Sequence, residues 1–144
     1  MDNTLSNKEI IEILFKKKII INGMMMSDNL PRLFTGFYLC NLDQTGDAGT
    51  HWTVLYYDMK KSYYFDSMGC VPCTELERRI KPYVYNDQQY QNIDETSCGY
   101  YCIAFIMYMH FMGPCDDVYR NFKNMFWAYP NNSMNDIILK KIIN

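Results

Sequence analysis

His51-Trp52-Thr53-Val54-Leu55-Tyr56-Tyr57-Asp58-Met59-Lys60-Lys61-Ser62-Tyr63-Tyr64-Phe65-Asp66-Ser67-Met68-Gly69 carries the strongest structural signal in the chain. Residues 50–57 and 62–66 are aromatic and β-branched, and the polar residues 58–61 between them read as a hairpin turn. Both runs are apolar on both faces. Strands of that kind lie centrally and are covered on each side. Working outward, residues 36–42 read as a strand before the pair, and residues 43–49 as a polar, glycine-containing loop. Residues 19–35 read as connection, with Gly23 and Pro31 as punctuation. Ser6-Asn7-Lys8-Glu9 is a capping box, followed by Ile10, Ile13 and Leu14 at helical spacing, so a helix is expected over residues 7–17.

Downstream, Pro72 and a Thr74…Glu77 capping pair predict a short helix over residues 74–79. Short strands are expected at residues 83–85 and 89–91. Residues 97–111 form the most apolar helix, ended by Gly113-Pro114. A helix over residues 118–126 precedes Pro130, and Ser133…Asp136 caps a last one through Lys141. Helices around a small central mixed sheet make an α+β fold. At 144 residues, a single domain spanning residues 1–144 is expected.

Apolar residues make up 49% and charged residues 21%, a balance that argues against a disordered chain. The net charge of -2 gives no global basic field for nucleic acid. The short basic clusters at residues 16–18, 78–81 and 140–141 read as solvated helix faces. No apolar run reaches the roughly 20 residues of a membrane-spanning helix. The N-terminal Met-Asp-Asn-Thr does not resemble a signal peptide. The six cysteines are therefore expected as free thiols in a reducing compartment, available for catalysis, metal binding or burial.

A cysteine nucleophile needs an imidazole beside it, and the chain has two histidines. His110 lies on the same expected helix as Cys98, about 18 Å along its axis at 1.5 Å per residue. His51 is thus the candidate base. A hairpin turn that pairs Tyr57 with Lys60 sets His51 directly opposite Asp66, and a four-residue turn shifts the pairing by two and keeps both on one face. A carboxylate at that reach accepts the imidazole N–H and favours its charged form. Cys98, in Thr96-Ser97-Cys98-Gly99-Tyr100, opens the apolar helix, where unsatisfied N–H groups and the dipole stabilise a thiolate. Cys102, one turn on, reads as a core residue. Gln91 could donate its side-chain amide to a developing oxyanion, together with the Cys98 backbone N–H.

His51-Trp52, then Tyr64-Phe65-Asp66-Ser67-Met68-Gly69, then Gln91 and Cys98-Gly99 resemble, in order and spacing, the adenain family of adenovirus-type maturation proteases. That family has relatives in virophages and giant viruses, and its clan includes the SUMO- and ubiquitin-like-protein-specific proteases. The resemblance extends through residues 36–41 and Tyr129-Pro130-Asn131-Asn132-Ser133-Met134-Asn135. It implies an adenain-like cysteine protease fold with Cys98 as nucleophile at the N-terminus of a central helix. His51 would be general base and acid, Asp66 the orienter and Gln91 an oxyanion donor. Trp52 would wall the cleft. The implied substrates are viral capsid precursors cut at glycine-rich sites such as Gly-Gly, by a monomer in the virion and the host-cell cytoplasm. The acid is Asp where adenain has Glu. Ile80 stands where adenain's cysteine binds a peptide activator by disulfide, and the acidic balance gives no support for a DNA activator. No cofactor or metal is expected.

Other readings compete. A protease of the same kind could act on host modifiers that end in Gly-Gly. Cys70-Val71-Pro72-Cys73 is a CxxC between a strand and a helix, as in thiol–disulfide oxidoreductases. Cys70, Cys73, Cys98 and Cys102 could supply zinc ligands. A non-catalytic binding module could keep the same scaffold, although all four catalytic residue types are present.

Overall fold

The computed structural model describes residues 4–41 and 51–144. The expected loop at residues 43–49, together with Leu42 and Thr50, lies outside the described residues, as does the start of the N-terminal segment. Helix α1 (Asn7–Lys16) opens on the capping box: Glu9 N–H donates to Ser6 Oγ at 3.1 Å, and Ser6 N–H to Glu9 Oε1 at 3.0 Å. Ile10 and Leu14 are buried, and Ile13 is partly so.

The sheet has strand order β1-β2-β3-β4-β5, formed by β1 (Gly23–Met25), β2 (Gly36–Asn41), β3 (Trp52–Tyr57), β4 (Ser62–Phe65) and β5 (Tyr83–Tyr85). The three central strands pair antiparallel, and the edge strands β1 and β5 pair parallel to their neighbours. The sheet is therefore mixed, as expected. β1 falls in a segment that the sequence marks as connection; its three residues are too few to show an alternation. Residues 89–91, expected as a strand, are irregular, because their polar groups bond to neighbouring loops.

The register Val54↔Phe65, Leu55↔Tyr64 and Tyr56↔Tyr63 places Tyr57 opposite Ser62 and gives a four-residue turn. Lys60 N–H donates to Asp58 Oδ1 at 2.8 Å across that turn. The same register carried forward sets Asp66 opposite Thr53, two residues from His51 and on the same face of the hairpin.

Both faces of the sheet are covered. Phe37, Leu39, Trp52, Val54, Tyr63 and Phe65 pack with α3 (Cys98–Met112), while Tyr38, Cys40, Leu55 and Tyr64 pack with Leu76 and Ile80 of α2 (Thr74–Ile80). Alternating strand residues divide between the two clusters, as the period of two demands. Helix α3 is apolar all round, and most of its residues are buried, with the exposed ones confined to its last three positions. α1, α4 (Asp116–Asn124) and α5 (Asn135–Ile143) pack against it.

Two helix starts differ from the sequence reading, and α2, which starts at Thr74 as expected, differs in its cap. α2 is capped at Cys73 without a side-chain bond, so Thr74 is already its first helical residue. α4 begins two residues earlier than expected, at Asp116, and ends at Asn124. α5 begins at Asn135 behind Met134, with no Ser133 cap; the Asn135 side chain instead spans Trp127 N–H, Trp127 C=O and Tyr90 C=O.

Candidate active site

Cys98 is the first residue of α3 and only 2% exposed. Its thiol lies where α3 meets the start of β3: Trp52 N–H donates to Cys98 Sγ at 3.4 Å. The imidazole of His51, one residue earlier, acts on the same thiol. Burial pushes the thiol up. The His51 hydrogen bond, the N–H of Trp52, the His51 charge and the N–H of Gly99 outweigh it, and the Cys98 pKa falls below its ordinary 9.0. Other cysteines move the opposite way. Burial raises Cys40 to about 12, Cys102 well above its ordinary value, and Cys70 to a lesser extent.

His51 Nε2 lies 2.7 Å from Asp66 Oδ1. A carboxylate oxygen only accepts, so Nε2 carries the hydrogen and Nδ1 is the nitrogen left for the thiol. Burial lowers the imidazole pKa. The hydrogen bonds to Asp66 and Cys98, and the negative charge on both, overcome that and push it up to about 9. Each member of the pair holds the other charged: the imidazole favours the thiolate, and the thiolate favours the imidazolium.

Asp66 is fully buried just beyond the end of β4. Its Oδ1 also accepts from Met68 N–H at 2.8 Å. Its backbone is held from behind by Asn86, whose Oδ1 accepts from Asp66 N–H at 2.9 Å and whose Nδ2 donates to the Asp66 carbonyl. Asp66 Oδ2 has no hydrogen-bond partner among the described residues. Asn86 is 1% exposed and was not singled out by sequence; a lone Asn after a short strand carries no signal of its own.

Gln91 is 2% exposed and lines a cleft of about 410 Å³ with His51, Asp66, Met68, Cys70, Ile93 and Glu95. Its amide is held at both ends: Oε1 accepts from Ser67 Oγ at 2.6 Å, and Nε2 donates to the Glu95 carbonyl at 2.9 Å. His51, Asp66, Gln91 and Cys98 thus converge from the hairpin, the loop before α3 and the α3 N-terminus. Trp52 does not line this cleft. Its ring is 5% exposed within the core, and its indole N–H donates to the Leu5 carbonyl at 3.0 Å. The strand alternation turns residue 52 inward when residue 51 faces the cleft.

His110 is exposed at the far end of α3. Among the described residues, no group of three or more His, Cys, Asp and Glu side chains is arranged to hold a metal ion. Cys70 is exposed, whereas Cys98 and Cys102 are buried, so the cysteines do not form one cluster. No described helix is long and apolar enough to cross a membrane.

No protein-family model matches the chain, and no curated sequence is similar to it. Among solved structures, it is similar to the ASFV pS273R protease, with a TM-score of 0.50 and 16% identity over 74% of this chain. It is also similar to the central domain of the uncharacterized Lpg1148 protein from Legionella pneumophila, with a TM-score of 0.39 and 15% identity over 74% of this chain and 65% of that one. The chain spans 43% of the length of the ASFV protein. What it shares with that protease is the fold: an α+β arrangement of a mixed five-stranded sheet and helices.

Proposed function

We propose that the chain is a cysteine protease in which Cys98 attacks a peptide carbonyl. The observation that carries this reading is the pairing at the α3 N-terminus: a thiol held low by the imidazole beside it, and an imidazole held high by Asp66 at 2.7 Å. In the acylation step the thiolate adds to the carbonyl carbon. Gln91 and the Cys98 backbone N–H hold the oxyanion, and the His51 imidazolium protonates the departing amine. His51 then takes a proton from water, which releases the acyl group and restores the thiolate.

The substrate reading is a virion precursor protein cut at a Gly-Gly site during maturation, as the resemblance to the adenain family implies. The burial of Cys98 supports it, because a peptide must bring its backbone close to reach the thiol of a residue that is 2% exposed, and a residue without a Cβ does so most easily. The enzyme is proposed to act as a monomer in the virion and host-cell cytoplasm. Host modifiers that end in Gly-Gly share this chemistry and are the alternative substrates. Redox chemistry at Cys70 and Cys73 has less support, since burial raises the Cys70 pKa where a reactive CxxC thiol needs it lowered.

The test is cleavage of an internally quenched Gly-Gly peptide, with the new termini read by mass spectrometry. Cys98→Ala is expected to abolish cleavage without changing the thermal unfolding midpoint greatly, and an Ala-Ala peptide is expected to be a much poorer substrate. Turnover that survives Cys98→Ala would overturn the assignment.

A further inference from the structure

Gln91 is placed by its neighbours rather than by its own helix or strand. An amide side chain can sit either way round, and only one way presents an N–H to an oxyanion. Glu95 settles the question at one end. Its carbonyl can only accept, so the atom 2.9 Å from it is the Nε2 of Gln91. The opposite end is therefore Oε1, and the Ser67 hydroxyl 2.6 Å away must donate to it. Nε2 carries two hydrogens. One is bound to Glu95, and the other is left for the cleft that Gln91 shares with His51.

Ser67 does more than orient the amide. Its carbonyl accepts Tyr90 N–H at 2.8 Å and Gln91 N–H at 3.2 Å. It is 1% exposed and directly follows Asp66 in the chain. One buried residue thus fixes the backbone of Gln91 relative to the acid that orients His51, and also fixes which way the Gln91 amide faces. The Tyr90 carbonyl on the other side accepts Tyr101 Oη, Asn132 Nδ2 and Asn135 Nδ2 at 2.9 to 3.1 Å, so the segment cannot slide to compensate.

We infer that Ser67 is a positioning residue for the oxyanion site, holding Gln91 through its hydroxyl and carbonyl so that an amide N–H faces the reacting carbonyl. This rests on the cysteine-protease reading. It assigns Ser67 no contact with substrate.

The oxyanion exists only when the thiolate adds to a carbonyl. Alkylation by iodoacetamide displaces iodide from carbon and forms no oxyanion, so it senses the Cys98–His51 pair alone. In Ser67→Ala, kcat on the Gly-Gly peptide is expected to fall roughly 10- to 100-fold, below the 10²–10³ of a lost oxyanion donor, with KM little changed. Binding of a Gly-Gly peptide aldehyde, whose hemithioacetal carries the same oxygen, should weaken in step. The iodoacetamide rate and its pH profile should match the wild type. In the Gln91→Ala background, Ser67→Ala should cost nothing further, because residue 67 acts through residue 91. If Ser67→Ala does not fold, Ser67→Thr and Ser67→Val, which differ only in the hydroxyl, carry the comparison. The Thr variant should then keep the wild-type kcat and the Val variant should lose it.

Wild-type kcat in both hydroxyl-free variants, or an equal Ser67→Ala loss with and without Gln91, would overturn the inference and leave the protease reading intact. A wild-type protein that neither cuts the peptide nor binds the aldehyde would overturn both.

Discussion

At the residue scale, the site is a problem in coupled titration. His51 is raised from its ordinary 6.5 to about 9, while Cys98 is lowered from its ordinary 9.0. The ion pair forms as Cys98 loses its proton and ends as His51 loses its own. Cleavage is therefore expected to rise to a plateau on the acidic side of pH 9 and to fall through about 9, as measured by kcat/KM across pH. The sign for stability is the same for the imidazole: the share that His51 contributes is complete below 6.5 and is lost as pH rises through about 9. Asp66→Asn removes the charge that supports the imidazolium, so the alkaline limb should move to lower pH. The rate should drop by up to about 10⁴, the loss that follows when a triad aspartate becomes asparagine. An unmoved alkaline limb in that variant would show that Asp66 does not set the His51 titration.

At the scale of elements, the turn after β4 joins the hairpin to the loop that carries Gln91. Gly69 sits at φ +78, and a Cβ there would meet the Gln88 carbonyl carbon at 2.8 Å and its oxygen at 2.9 Å. These are backbone atoms two and three residues before Tyr90 and Gln91, and they cannot turn aside. Gly69→Ala is expected to cost about 1–3 kcal/mol of stability and to lower kcat by displacing Gln91, read by thermal unfolding and peptide cleavage together. Gly99→Ala meets side-chain atoms of Leu5 and Ile10 at 3.1 to 3.4 Å, which can yield a little, so its cost should be smaller.

Legibility followed the range of each interaction. The His51–Asp66 pairing could be read because hairpin register is local, and only the choice between two turn lengths needed the structure. The capping box at Ser6 and Glu9 was likewise local. β1 was not legible, because its pairing with β2 depends on chain more than ten residues away. The inward packing of Trp52 is not legible from a resemblance in sequence, which does not say which side of a strand is buried. Ser67 and Asn86 could not be found at all: each serves a partner twenty or more positions from it, and neither residue type announces that.

For the whole molecule, the core and the site are continuous. Phe65 stacks against Tyr90, Tyr101 and Phe105 at 5.8 to 6.1 Å and meets Phe122 edge-on at 5.2 Å. It precedes Asp66, and Tyr90 precedes Gln91, so the same aromatic stack holds both sides of the cleft. Phe65→Ala is expected to cost about 3–5 kcal/mol by thermal or denaturant unfolding. Buried thiols give a second view of the same cooperativity. Cys102 is 1% exposed and Cys40 4%, with both pKa values raised. Once Cys98 is alkylated, these two should react only at the rate of global opening. Labelling of Cys102 well ahead of unfolding would mean that α3 opens locally.

The hydrogen bond from Trp52 N–H to Cys98 has an evolutionary consequence. The donor belongs to the main chain, so no codon change at position 52 deletes it except one to proline. Substitutions there alter how the indole fills the core, while that part of the thiolate's support passes unchanged to whatever residue replaces it. His51 has no such protection. The Cys98 thiol thus draws on one inherited source of stabilisation and one that selection must maintain, and a lineage that loses the histidine would keep a thiol that is still partly stabilised as the thiolate.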